Sequence, residues 1–178
     1  YAVGGLMKHA EALTSITCST VNSYNGLVPR VGGFEGGTVT WAPTNITYGH
    51  NNRSAQFRLP QNRYCIENRA ADMTMNVYLA LAITMSAAVE GIEKKIHPGD
   101  PTDQDLYDMS ESEVKRLGIK RLPKNLLMAL EAFKKDKLID DVLGTVMKKS
   151  LLAYKNDEWE RYHQAVTDWE VKEYLRLY

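Results

Sequence analysis

The sequence predicts an α+β fold with short antiparallel strands early and a helical C-terminal half, and three observations predict it. β-branched and aromatic residues cluster in short runs between Thr38 and Arg69, apolar residues recur at helical spacing from Asn76 onward, and no internal repeat or low-complexity tract interrupts the order. The chain has 178 residues, 44% hydrophobic and 25% charged, which allows one compact domain with a sizeable core.

The elements follow in order. "GGLMKHAEALTSI" (4–16) places Leu6, Ala10 and Leu13 on one stripe of a helix. "CSTVNSYNGLVPRVGGFEGG" is long, polar and glycine-rich, a composition that reads as a deformable functional loop. "TVTWAPTNITYG" is strand-like but broken by Pro43, as in an edge strand. "SAQFRLP" and "RYCIENR" are two further strands joined by a turn. The apolar run within "NVYLALAITMSAAVEGIEKK" is too short to span a bilayer and predicts a buried helix. "HPGDPTDQDLYDM" is a proline-punctuated loop, and Ser110 with Glu113 forms a capping box for the next helix. Pro123 suits the first turn of "PKNLLMALEAFKKD", and a long charged helical segment with Trp159, Tyr162, Trp169 and Tyr174 closes the chain.

Charge and cysteine content narrow the function. Lys+Arg and Asp+Glu are both 22, so a neutral surface gives no broad steering toward nucleic acid or anionic membrane. Cys18 and Cys65 lack metal-ligand spacing and read as reduced thiols of a cytoplasmic protein. His9, His50, His97 and His163 are scattered without HExxH, and GxGxxG and Walker patterns are absent. Each histidine is expected to be structural. The sequons at Asn45 and Asn52 are read as coincidental.

The unusual stretch is "NNRSAQFRLPQNRYCIENRAAD". Residues two apart on a strand share a face, so Glu67, Arg69 and Cys65 point together. Arg53 and Arg58 are an odd number apart and share a face only if Arg53 lies on the turn leading in. Read plainly, this is a surface ion-pair strip contributing about 0–1 kcal/mol per pair. Read functionally, planar guanidiniums bind phosphate oxygens bidentately while a carboxylate holds Mg²⁺ or Mn²⁺, a set suited to phosphoryl transfer. A single carboxylate cannot hold a metal alone, so further ligands must come from outside this chain. In "GGFEGG", Glu35 between glycine pairs reads either as an incidental loop residue or as a charge carried on a mobile flap. Arg63 has no role in this reading.

Taken together, "GGLMKHAEALTSITCSTVNSY…LVP", "NNRSAQFRLP", "IENRAAD", "NVYLALA" and "GIEKKIHPGDP…DLYDMS" resemble the C-terminal part of the glutamine synthetase catalytic domain, in order from about Gly4 to Met109 and more loosely to the end. The resemblance implies an ATP-dependent ligase that phosphorylates the γ-carboxyl of glutamate and lets ammonia or an amine displace the phosphate. It implies Glu67 as a metal (Mg²⁺ or Mn²⁺) ligand, Arg69 as substrate-binding, and Arg53 and Arg58 as contacts to ATP phosphates and the acyl phosphate. It places Glu35 on the closing flap as a catalytic group. It also implies a ring-shaped homo-oligomer with active sites between subunits. On that footing residues 1–178 are one piece of the catalytic domain, expected to be inactive without the β-grasp domain, the other metal carboxylates and the metal-binding histidine segment.

Two departures stand out against the family pattern. "NSYNGLVP" has Gly26 where the family has an arginine gripping the substrate carboxylate, and Cys65 replaces the basic residue before "IE". Losing a bidentate clamp on a carboxylate weakens binding by a few kcal/mol. With the longer segment before Glu35 and the ending "TDWEVKEYL", these departures resemble the γ-glutamyl-amide branch acting on alkylamines, polyamines or aromatic amines. The alternative they leave open is a catalytically inactive ring subunit. A phosphate- or nucleic-acid-binding module rests on arginine density alone and is disfavoured by the zero net charge.

Overall fold

A computed structural model describes residues 1–27, 42–107 and 109–175. The part of the glycine-rich stretch that carries Glu35, and residues 38–41 of the strand expected over 38–49, lie outside the described residues.

The first helical stretch is two helices, α1 (Ala2–Lys8) and α2 (Ala10–Thr17), rather than one. The break falls at His9, whose backbone (φ −99°, ψ 9°) leaves helical geometry. Neither Gly nor Pro marks this position. The reason is tertiary: the buried His9 ring is held between Glu90 and Asp136, carboxylates on other elements.

α3 (Val77–Glu93) is capped by Asn76, whose Oδ1 accepts from Tyr78 N at 3.0 Å and Leu79 N at 3.2 Å. It packs along α1 at glycine level: a Cβ on Gly5 would lie 2.7 Å from Gly91 Cα. The expectation of a buried helix holds for only one face. Ala80, Ile83, Ala87 and Gly91 are covered, whereas Tyr78, Leu81, Met85, Val89 and Ile92 are exposed. Small residues face α1 because backbone meets backbone there, which leaves the large apolar side chains pointing away.

The sheet contains β1 (Asn45–Gly49), β2 (Ala55–Arg58), β3 (Glu67–Asn68) and β4 (Lys120–Arg121) in the order β3-β2-β1-β4. β2 and β3 are antiparallel, as are β1 and β4, but β1 and β2 run parallel, against the all-antiparallel expectation. Parallel neighbours normally need a crossover of a dozen or more residues. Residues 50–54 suffice because the strands are short and the return is pinned: Ser54 O accepts from Thr44 N at 3.1 Å and Asn45 N at 3.3 Å. Asn52 fixes the same return by donating to Thr102 O (2.7 Å) and Gln104 O (2.8 Å) and accepting from Ser54 N (2.8 Å). Asn45 and Asn52, the two sequon asparagines, are therefore structural and buried.

α4 (Glu111–Arg116) carries the expected capping box, with Ser110 N donating to Glu113 Oε2 at 2.8 Å and Glu113 N donating to Ser110 Oγ at 3.3 Å. α5 (Leu126–Lys135) starts later than Pro123 because Asn125 supplies the cap, its Oδ1 accepting from Met128 N at 2.9 Å. α6 (Lys137–Gln164) bends at Gly144, where φ is +70°, and α7 (Asp168–Tyr174) follows behind its own Thr167–Glu170 box. α6 reaches the front of the fold through Glu158, which accepts from Val21 N at 3.1 Å.

Leu13, Phe57, Ile83, Leu126, Phe133 and Ile139 form the fully buried centre between the sheet and helices α2, α3, α5 and α6. Burial of each such side chain stabilises the fold by about 1.5–3 kcal/mol. Cys18 is part of this core, its thiol donating to Ala70 O at 2.8 Å and pushed up to about 12 by burial, which makes it unreactive. Among the described residues no helix is long and apolar enough to cross a membrane.

Candidate active site

The arginine-rich stretch folds onto the open edge of the sheet. Phe57 points into the core, so its strand neighbour Arg58 is carried toward the opposite face. Antiparallel pairing then sets Glu67 directly across from Arg58. Arg58 Nη1 lies 3.5 Å from Glu67 Oε2, and its Nε donates to His50 O at 3.3 Å. Arg69 approaches the other oxygen, with Nε 3.9 Å from Glu67 Oε1, so Glu67 and Arg69 do share a face.

Arg53 lies on the bend ahead of β2, the one placement that frees it from strand alternation. Its carbonyl accepts from Arg69 Nη1 and, at 3.3 Å, from the Tyr107 hydroxyl. Arg69 N in turn donates to Gln56 O at 2.9 Å. Burial lowers the Arg69 pKa, and Arg58 and Arg53 push the same way, while Tyr107 and Glu67 oppose them. Arginine nevertheless stays charged under any ordinary condition. Burial raises Tyr107 to about 12, so it remains a neutral hydrogen-bond donor.

Four of the residues singled out from sequence, Arg53, Arg58, Glu67 and Arg69, thus meet at one edge of the sheet. Cys65 does not share their strand face, because β3 spans only Glu67–Asn68 and Cys65 lies on the preceding loop. Two participants were not foreseen. Arg63 Nη2 lies 3.1 Å from Glu67 Oε2, a pairing across a loop that no periodicity rule announces. Tyr107 arrives from a distant loop without any sequence signal. The β2–β3 loop also walls an open cleft of about 640 Å³ lined by His50, Gln61, Arg63, Tyr64 and Cys65.

The donor set fits the implied cofactors in part. Glu67 offers carboxylate oxygens suited to a hard divalent cation, and the guanidiniums around it suit phosphate oxygens. Among the described residues no group of three or more His, Cys, Asp or Glu side chains is arranged to hold a metal ion, so Glu67 would need ligands from elsewhere. The histidines serve the scaffold. His50 Nδ1 lies 3.1 Å from Asp103 Oδ2, His97 Nδ1 accepts from Gly99 N at 3.1 Å, and His163 stacks on Trp159.

A small sheet, a helical half and arginines clustered about a carboxylate are thus on view, and comparison with known proteins gives the family. The family model described as the glutamine synthetase catalytic domain matches residues 1–174, and the chain belongs to the glutamine synthetase family. It is 44% identical over 174 residues to glutamate–methylamine ligase of Methyloversatilis universalis, covering 98% of this chain and 38% of that protein. It is 41% identical over 176 residues to glutamine synthetase of Methanocaldococcus jannaschii, covering 97% of this chain and 37% of that protein. A solved structure titled as a GmaS/ADP complex superposes with a TM-score of 0.82 at 32% identity, covering 98% of this chain and 39% of that one. The chain therefore spans well under half the length of the relatives it matches.

Proposed function

We propose that the protein containing this chain is an ATP-dependent ligase that forms a γ-glutamyl amide from glutamate and ammonia or an amine through a γ-glutamyl phosphate. The observation that supports it is the convergence of Arg58 and Arg69 on Glu67 at one sheet edge, with the Arg53 backbone tied to Arg69 beside them. In this reading Glu67 holds a divalent cation, which would neutralise charge on the phosphate oxygens during transfer. Arg58 and Arg53 clamp the nucleotide phosphates and the acyl phosphate, and Arg69 binds the acid substrate. Tyr107 and the Arg69 guanidinium, both tied to the Arg53 carbonyl, keep Arg53 in register with the strand. Glu35 is the flap residue of this reading.

Residues 1–178 are then the C-terminal portion of the catalytic domain. The remaining metal ligands come from elsewhere in a full-length, ring-forming homo-oligomer, and this portion alone is inactive. The test is phosphate release by the full-length protein supplied with ATP, Mg²⁺, glutamate and a panel of acceptors. Methylamine is the first amine arm, given the name of the relative from Methyloversatilis universalis. Acceptor-dependent release is expected, and no release with any acceptor overturns the reading.

A further inference from the structure

Arg63 is the one arginine of the hairpin that the proposed reaction leaves unused. Three guanidiniums compete for the Glu67 carboxylate: Arg63 Nη2 at 3.1 Å and Arg58 Nη1 at 3.5 Å from Oε2, and Arg69 Nε at 3.9 Å from Oε1. They differ in how firmly the fold holds them. The Arg69 side chain is 14% exposed and its Nη1 donates to a backbone carbonyl. Arg58 is 33% exposed, stands on β2 and is tied to His50 O. Arg63 is 61% exposed, stands on the loop that walls the cleft, and makes the shortest of the three approaches to Glu67. The closest counter-ion is therefore also the one best able to leave.

We infer that Arg63 is a positioning residue that occupies the metal-binding oxygen of Glu67 and is displaced by the cation. This inference rests on the reading of Glu67 as a metal ligand. A divalent cation on Oε2 would face a guanidinium at about hydrogen-bond distance, and like charges that close repel strongly even with solvent screening. Cation binding and the Arg63–Glu67 pair thus exclude each other. While paired, Arg63 holds Glu67 in one rotamer. Once displaced, its guanidinium is released at the mouth of the cleft, where it can pair with an anionic oxygen of a bound ligand. Arg63 therefore sets how tightly metal binds before any nucleotide does.

The test is Mn²⁺ binding to the full-length protein without nucleotide, followed by electron paramagnetic resonance, for the parent, Arg63→Ala, Arg63→Lys and Glu67→Gln. Glu67→Gln identifies the Mn²⁺ site that depends on Glu67 by weakening it. Arg63→Ala is expected to tighten that same site by about three- to tenfold, the scale of losing one exposed charge–charge interaction. Arg63→Lys keeps the charge and should return affinity toward that of the parent. Unchanged or weaker Mn²⁺ affinity in Arg63→Ala, with the Glu67→Gln effect intact, overturns the inference. If Glu67→Gln leaves every Mn²⁺ site unchanged, the assignment of Glu67 fails and takes this inference with it.

Discussion

At the scale of single residues, Glu67 and Gly26 are the positions where chemistry and fold can be separated. Glu67 stands on a two-residue edge strand and is about one-third exposed, so no core packing depends on it. Its ion pairs contribute about 0–1 kcal/mol to stability, as partly exposed pairs do. Glu67→Ala in the full-length protein should therefore leave the melting temperature within a few degrees of the parent. On the proposed role of Glu67 it should also lower turnover by at least about 100-fold, because losing a metal ligand removes several kcal/mol of transition-state stabilisation. Retained turnover would remove Glu67 from the metal site. Gly26 ends a 3-10 turn over Val21–Gly26, and a Cβ built there meets nothing within 4 Å. Space at Cβ among the described residues thus gives no reason for a glycine where the family resemblance implies an arginine. Gly26→Arg should fold normally, and if the position faces the acid substrate it should lower KM for glutamate several-fold while leaving kcat nearly unchanged. An unchanged KM with normal folding would show that position 26 does not set the grip on the carboxylate.

At the scale of elements, the contact between α1 and α3 carries a prediction of its own. A methyl group on Gly5 would run into the Ala87 carbonyl and sit 2.7 Å from Gly91 Cα, and both obstacles are backbone, which cannot swing aside. The two helices would have to move apart, opening the packing around Leu6 and Ile83. Gly5→Ala should cost about 1–3 kcal/mol, the range for overpacking, despite its better helix propensity, and thermal unfolding checks it. A neutral or stabilising result would mean the helices separate freely. This contact also shows why the fold was only partly legible. Helix positions and the capping boxes at Ser110 and Thr167 are local chemistry, written in neighbouring residues, and the Ser110–Glu113 box is legible from spacing alone. The break at His9 comes from carboxylates 81 and 127 positions away in the chain. The parallel pairing of β1 with β2 depends on Asn52 and Ser54 pinning a five-residue return. Neither leaves a periodic trace. The site follows the same division: Arg58 opposite Glu67 is strand alternation plus a hairpin, whereas Arg63 and Tyr107 enter from loops.

At the scale of the whole molecule, one charge cluster ties the α1–α2 junction, α3 and the α5–α6 junction together alongside their packing. His9 sits at the α1–α2 junction, with Nδ1 2.7 Å from Asp136 Oδ2 and Nε2 against Glu90 Oε2. Asp136 also caps α6 through Leu138 N, and Glu90 on α3 is gripped by Lys94 and, at 3.0 Å, by Lys8. A carboxylate on each ring nitrogen is best satisfied when both nitrogens carry protons, so the surroundings favour the imidazolium. Burial alone would lower the His9 pKa, but hydrogen bonds to Asp136 and Glu90 outweigh it and hold the value above the ordinary 6.5. Burial likewise opposes ionisation of Glu90, yet Lys94, His9 and Lys8 bring it down from 4.5 to about 2. The signs are opposite. His9 contributes fully below pH 6.5, and its contribution is lost as pH rises through the raised folded value. Glu90 contributes fully above pH 4.5, and its contribution is lost as pH falls toward 2. The cluster should thus support a stability plateau between these two values, declining on both sides. His9→Gln removes the titrating ring and leaves two carboxylates facing each other. It should lower the melting temperature across the whole range by the effect of an uncompensated, partly buried charge, and it should flatten the alkaline decline. Melting temperatures of the parent and His9→Gln from pH 4 to 9 test this directly. A parallel alkaline limb in the variant would show that His9 is held neutral and that the three elements are joined by packing rather than by charge.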